Sequence, residues 1–306
     1  MNITLVHNPK AGHGKKSGTE LTSLIRAEGH SVTYQSSKRD GWQDALDSPT
    51  DLVVVAGGDG TITEVAKHLL GRKIPIAILP VGTANNIVTA LGLSEIPIEE
   101  LIVALSTAKR KPFDLGIVTG PWGSRPFLES VGTGLFASTM SKLDSRDNLH
   151  LTHLEDPKEK LQAVVKLMIE RLDEGFVRSL EIELDGEDRS GDFILVEAMN
   201  IGHVGPNLNL APRAKVDDEK LDVVLVEKNE RQQFKRYLSG LANGIPQEPR
   251  FEIRHTRVTE MKWEGFDIHI DDETWPQHGS GFALEPSQIT IKVERHALEF
   301  LLPAKR

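Results

Sequence analysis

The sequence predicts an α/β plus β-rich chain, in which an N-terminal open Rossmann-like α/β domain precedes a C-terminal β-sandwich-like domain. Short apolar runs alternate with stretches of helical spacing through Leu105, the rhythm of a mostly parallel sheet with crossover helices. Beyond Pro112 the pattern changes to successive alternating or apolar runs, which marks a second lobe dominated by strands. At 306 residues the chain is long enough for two cores.

Residues 3–6 read as the first strand and lead into the glycine-containing turn Asn8-Pro9-Lys10-Ala11-Gly12-His13-Gly14-Lys15. A helix follows near 17–27, where Leu21, Leu24 and Ile25 form the buried stripe, Glu28 continues the spacing and Gly29 can close it. A strand over 32–35 and a helix over 42–46 precede the buried run Asp51-Leu52-Val53-Val54-Val55-Ala56. The turn Gly57-Gly58-Asp59-Gly60-Thr61 comes next, before a helix over 62–70. A strand over 74–79 leads to a second loop, Pro80-Val81-Gly82-Thr83, and then to Ala84-Asn85-Asn86. A helix over 97–105 carries Pro97 in its first turn, where proline is tolerated. Because open parallel sheets present their ligand crevice beyond the carboxyl ends of the strands, these loops can converge.

The second lobe is expected to place strands at 113–118, 180–184, 193–198, 221–226, 251–253, 266–270 and 289–293. An inserted helix over 157–172 repeats Leu161, Val164, Val165, Leu167 and Met168 near helical spacing, a pattern that fits core packing better than membrane insertion. The polar stretch 141–160 reads as a mobile lid or surface connector. The four tryptophans are dispersed, which fits domain packing rather than a base-stacking ladder. The resulting division is 1–118, 119–299 and a terminal segment 300–306.

Composition excludes several classes. With 39% hydrophobic and 26% charged residues the chain is an ordinary globular protein. Its 36 Lys and Arg against 45 Asp and Glu, a formal charge of -9, argue against a broad nucleic-acid surface. The absence of cysteine rules out disulfides, cysteine-ligated zinc and thiol catalysis, and is compatible with a reducing cytoplasm. The start lacks a secretory pattern and the apolar runs are too short to span a bilayer, so a cytoplasmic protein with at most peripheral membrane contact is expected.

The chemistry is concentrated in Gly57-Gly58-Asp59-Gly60-Thr61. Its glycines allow backbone N–H groups to approach phosphates, and Asp59 beside them can organise Mg²⁺ directly or through water. A purely architectural reading is that the glycines shape a turn and Asp59 caps a helix. The segment is neither a Walker A sequence nor a dinucleotide fingerprint, so hydride transfer is disfavoured. His7, His13, His68, His203 and His296 define neither a metal site nor an acid–base triad.

Three blocks in succession carry a resemblance: Asn8-Pro9-Lys10-Ala11-Gly12; Gly57-Gly58-Asp59-Gly60-Thr61 with Glu64; and Leu79-Pro80-Val81-Gly82-Thr83-Ala84-Asn85. It continues through Asn200-Ile201-Gly202, Asn209 to Ala214, Val216 to Asp222, Ile270-Asp271-Asp272-Glu273 and Phe300-Leu301-Leu302-Pro303. The chain resembles the bacterial lipid-kinase family related to diacylglycerol and sphingosine kinases, within the NAD kinase-like superfamily.

That resemblance implies an N-terminal ATP-binding domain, a C-terminal lipid-site domain with the active cleft between them, and a terminal segment returning to the first domain. It makes Asn8, Gly12, Gly57, Gly58, Gly60, Thr61, Glu64, Gly82, Thr83 and Asn85 ATP-binding residues, with Asn8, Gly12, Gly58, Gly60, Thr61 and Thr83 at the phosphates and Asn85 ordering its loop or capping the helix that follows. It also makes Asp59 an organiser of Mg²⁺ and Asp271 the general base for a lipid hydroxyl, with Asp272 and Glu273 as acidic neighbours. Asp217, Asp218 and Asp222 correspond to a second, structural divalent-ion region. The family commonly has glycine at the positions of Asp272 and Glu219, aspartate at Asn86, and an uncharged polar residue near Glu129. The implied partners are ATP, Mg²⁺, an amphipathic lipid alcohol of diacylglycerol type and a transient membrane surface. No specific nucleic acid is expected, and the oligomeric state is open. NAD kinase and a nucleotide-responsive, noncatalytic binding protein remain as alternatives.

Overall fold

A computed structural model describes residues 1–14, 16–82, 85–143, 156–245, 248–276 and 285–304. The elements in chain order are β1 (Asn2–His7), α1 (Gly18–Ala27), β2 (Ser31–Ser36), β3 (Leu52–Gly57), α2 (Asp59–His68), β4 (Ile76–Pro80), α3 (Asn86–Ala90), α4 (Ile98–Ala104), β5 (Lys109–Gly120), β6 (Gly123–Phe127), β7 (Ser130–Gly134) and α5 (Leu135–Leu143). There follow α6 (Pro157–Asp173), β8 (Arg178–Leu180), β9 (Ile182–Leu184), β10 (Glu187–Asp188), β11 (Gly191–Met199), β12 (His203–Val204), β13 (Leu208–Asn209), β14 (Leu221–Glu227), α7 (Arg231–Ala242), β15 (Glu252–Thr256), β16 (Val258–Trp263), β17 (Ile268–Ile270), β18 (Glu273–Trp275) and β19 (Ser287–Leu302). The chain divides into two compact units, 1–114 with 295–306, and 115–294.

In the first unit β1 pairs in parallel with β2 on one side and β3 on the other, and β3 pairs in parallel with β4. Every residue of β3 is buried, as expected of a parallel strand covered on both faces. Helix α1 starts where Ser17 Oγ accepts the Glu20 N–H at 3.1 Å, and buries Leu21, Thr22 and Ile25. The end of β19 joins this sheet, with Phe300 opposite Ile76 of β4 and its ring edge-on to Phe113 at 5.0 Å. Buried Asp114 fixes the same stretch by accepting the His296 N–H at 2.7 Å.

The second unit is a sandwich. One sheet runs β15-β14-β11-β7-β17-β18, antiparallel at each of those pairings, with β8 also on β11. Facing it, β16 pairs with β9 and with residues 287–292 of β19, and β5 pairs with β6. Strand alternation divides the apolar residues between two cores. Leu221, Val223 and Leu225 of β14 point into the sandwich, with Trp122, Trp263 and Trp275 beside them, whereas Val224 and Val226 point outward under α5, α6 and α7. A bulge between Phe193 and Leu195 shifts the phase of β11.

Several boundaries differ from the sequence expectation. The helix expected over 42–46 is a 3-10 turn, Trp42–Asp47. Helix α2 starts at Asp59 rather than residue 62, because Gly58 serves as its N-cap and the glycine motif supplies the first turn. The strand expected over 251–253 is Glu252–Thr256. Of the stretch read as a lid or connector, 141–143 close α5 and 157–160 open α6 after the Asp156 cap, while 144–155 lie outside the described residues.

Candidate active site

In the first unit the turns after β1, β3 and β4 leave the same edge of a parallel sheet. Asn8 Nδ2 donates to Thr61 Oγ1 at 3.3 Å, joining the first turn to the second. Gly12 has φ +55, and a Cβ there would stand 2.0 Å from the Val81 carbonyl oxygen, so the first loop lies directly against the third. A Cβ on Gly82 would stand 2.5 Å from Gly58 Cα, bringing the second and third loops equally close. Asn85 Nδ2 closes the third loop on the Gly82 carbonyl at 2.8 Å.

Asp59 reaches from the first turn of α2 to α3. Its Oδ2 accepts the Asn86 N–H at 2.7 Å and its Oδ1 the Ile87 N–H at 3.1 Å. Asp59 therefore caps α3, whose own N-cap residue, Asn85, makes no side-chain capping bond. Helix α2 begins after Gly58, an N-cap with no side chain to offer, and runs through the exposed Gly60, whose missing Cβ faces open space among the described residues. Such a start suits a phosphate, since first-turn amides and the helix dipole favour an anion. Gly57 serves packing: a Cβ there would stand 2.8 Å from the Thr61 Cβ. Glu64 lies one turn further along, exposed, and Thr83 lies outside the described residues. Burial holds the His7 imidazole below the usual histidine range, partly offset by a backbone hydrogen bond involving Lys16. Among the described residues no group of three or more acidic or histidine side chains is arranged to hold a metal ion. The Asp59 carboxylate beside the glycine loops fits Mg²⁺, which is commonly held by one or two carboxylates together with substrate phosphates and water.

In the second unit Asp271 occupies the turn between β17 and β18 in the left-handed region, φ +51, which aspartate tolerates better than most residues. Its N–H donates to the Ser130 carbonyl at 2.8 Å. Its Oδ1 accepts the amides of Leu128 and Glu129 at 3.1 and 2.9 Å. The 128–129 stretch is held in turn by Asn200, fully buried, whose Nδ2 donates to the Leu128 carbonyl at 3.0 Å and whose N–H donates to the Glu129 carbonyl at 2.8 Å. Asn200 was legible as part of a resemblance, but its hold on the Asp271 anchor was not. Asp272 and Glu273 continue the turn into β18, both exposed, beside half-buried Asp271.

Asp217, Asp218 and Asp222 do not meet as a carboxylate cage. Asp218 Oδ1 accepts the Lys220 N–H at 3.3 Å, and buried Asp222 stands 3.0 Å from His255 Nδ1. Burial pushes the Asp222 carboxyl up to about 6, with Asp218 adding to the shift and His255 opposing it. Glu219 takes φ +62 at the position where the family commonly has glycine.

The family model described as diacylglycerol kinase catalytic domain matches residues 2–118, and the model described as YegS C-terminal NAD kinase beta sandwich-like domain matches residues 138–301. The chain belongs to the YegS and diacylglycerol kinase-like family, within the NAD kinase-like superfamily. It is 29% identical over 294 residues to "Probable lipid kinase YegS-like" of Pseudomonas aeruginosa (strain UCBPP-PA14), covering 91% of each chain. To "Diacylglycerol kinase" of Bacillus subtilis (strain 168) it is 28% identical over 283 residues, covering 88% of each. The fold is shared with a solved diacylglycerol kinase of Bacillus anthracis str. Sterne, at a TM-score of 0.65 and 20% identity, covering 98% of this chain and 96% of that one. The two family matches agree with an α/β first part and a sandwich-like second part.

Proposed function

We propose that this member of the family transfers the γ-phosphoryl group of ATP to the hydroxyl of an amphipathic, diacylglycerol-like lipid, with Mg²⁺ accompanying the nucleotide. The observation that carries this reading is the convergence of three glycine-containing loops on the start of α2, whose N-cap Gly58 has no side chain. In it, residues 1–118 hold the nucleotide, 119–299 receive the lipid and 300–306 return to the nucleotide-binding part. Asn8, Gly12, Gly57, Gly58, Gly60, Thr61, Glu64, Gly82, Thr83 and Asn85 surround the phosphates, chiefly through main-chain amides and short polar groups.

Asp59 keeps the second and third loops together by capping α3 and orients the phosphate cradle from one side. Asp59 would hold Mg²⁺, directly or through water, and the ion would offset phosphate charge there. Asp271 takes the proton of the acceptor hydroxyl as its oxygen bonds to the γ-phosphorus and the bond from that phosphorus to the bridging oxygen of ADP breaks. A lipid phosphomonoester and ADP are the products, and the proton leaves on the carboxyl. Fixed amides from Leu128 and Glu129 support this role by holding the carboxylate in one orientation. Asp217, Asp218 and Asp222 contribute a second ion region only if a metal displaces the Asp222–His255 contact.

Among the described residues no helix is long and apolar enough to cross a membrane. In the proposed reading a cytoplasmic protein meets its lipid at a membrane surface. The test is incubation of purified protein with γ-labelled ATP, Mg²⁺ and separate panels of diacylglycerols, sphingoid bases and NAD. A labelled lipid phosphomonoester is expected from the diacylglycerol panel. Labelled NADP without a lipid product, or nucleotide binding without transfer to any acceptor, would overturn the reading.

A further inference from the structure

Under the Asp271 turn lies a buried polar pair that the proposed reaction does not use. Glu197 of β11 faces Gly132 of β7, and Gly132 faces His269 of β17, so the three occupy one row across three strands. A Cβ on Gly132 would stand 2.2 Å from Glu197 Oε2. The bare middle position thus lets the carboxylate cross a strand that any other residue would block. It meets His269 Nε2 in a hydrogen bond, and both side chains are essentially inaccessible, 0% and 1% exposed. Phe136 of α5 closes the site, with its ring edge-on to the imidazole at 4.9 Å.

The other imidazole nitrogen points to the turn. His269 Nδ1 stands 3.0 Å from the Asp271 carbonyl oxygen. A carbonyl only accepts, so Nδ1 carries hydrogen, and the remaining proton of the pair is shared between Nε2 and the Glu197 carboxylate. Burial opposes charging of His269 most strongly, but Glu197 and Asp271 together outweigh it and raise the imidazole above its ordinary range. Glu197 Oε2 has no hydrogen-bond partner among the described residues, an arrangement an apolar pair of equal volume would improve if filling the core were the only role.

We propose that the Glu197–His269 pair is a positioning device for Asp271. Glu197 fixes the imidazole, and Nδ1–H holds the main chain of Asp271, so that its carboxylate is aimed at the acceptor hydroxyl. The Asp271 residue is then held at its N–H by Ser130, at its carboxylate by Leu128 and Glu129, and at its carbonyl by His269. This inference rests on Asp271 acting as the base.

Two substitutions at one position separate the links. In His269→Asn the amide nitrogen takes the place of Nδ1 and keeps the bond to the Asp271 carbonyl while losing Glu197. In His269→Gln the longer amide takes the place of Nε2, keeping Glu197 while losing Asp271. Both bury one amide, so their losses of stability should be similar. His269→Gln is expected to lower kcat at least about tenfold below His269→Asn, because a small misplacement of a catalytic group is costly, with KM for Mg-ATP within about twofold. Amide hydrogen exchange across 270–273 should be faster in His269→Gln than in His269→Asn. The milder Glu197→Gln, which keeps an acceptor for Nε2–H, should fall between wild type and His269→Gln in both measurements. Equal kcat for the two His269 variants, or equal exchange across the turn, would overturn the proposal. If the wild type transfers no phosphate to lipid, the proposed function fails; exchange then still decides whether His269 holds the turn.

Discussion

Gly12 and Gly60 make opposite demands on a single methyl group. In Gly12→Ala the new Cβ would meet the Val81 carbonyl, and the positive φ adds strain, so a loss of about 1–3 kcal/mol in stability is expected from chemical denaturation. In Gly60→Ala the methyl enters open space, and the melting temperature should hold. Mg-ATP affinity of Gly60→Ala should nevertheless fall about tenfold, or about 1.4 kcal/mol, if the phosphates approach the start of α2 as proposed. Unchanged affinity, measured by calorimetry, would remove Gly60 from the cradle. His203 gives a pH prediction. Burial lowers its imidazole, so the unfolded chain takes up a proton near pH 6.5 before the folded one does. Stability is thus lost as pH falls below about 6.5, and the loss levels off below the folded value. His203→Asn should flatten that part of the stability profile between pH 7.5 and 5.

The strands and loops of the first unit were legible as elements because buried parallel strands leave short apolar runs and glycines punctuate the turns between them. The start of α2 was misread because the rule that glycine marks a loop competes with its use as an N-cap, and here Gly58 is the cap. The Asp59 bond to α3 was invisible because it joins a side chain to amides 27 and 28 residues away. Glu197 and His269 were missed for the same reason. They are 72 residues apart, and the signal that would have found them is a glycine centred between two polar positions in paired strands. At the end of β19, Phe300→Ala should destabilise the first unit by about 3 kcal/mol, since a fully buried ring packed on Phe113 would be removed. A loss under about 1 kcal/mol by calorimetry would show that the end of β19 contributes little to that sheet.

The whole molecule divides into two compact units, and in the proposed reading the first carries the phosphate cradle and the second the acidic turn. Their fold classes were readable from a change in period near Pro112, whereas the hydrogen bonds that hold Asp271 come from segments at 128–130 and 269, with Asn200 holding 128–129 in turn, and no local pattern connects them. The central claim is that Asp59 organises the nucleotide end and Asp271 serves the acceptor hydroxyl. It is tested most directly by measuring lipid-phosphate turnover and Mg-ATP affinity together in Asp271→Asn and Asp59→Asn. Asp271→Asn, which keeps an oxygen for the Leu128 and Glu129 amides, should lose turnover about 100-fold or more with Mg-ATP affinity intact, in line with the loss of a general base. Asp59→Asn should lose both. Wild-type turnover in Asp271→Asn, or wild-type Mg-ATP affinity in Asp59→Asn, would contradict that division of roles.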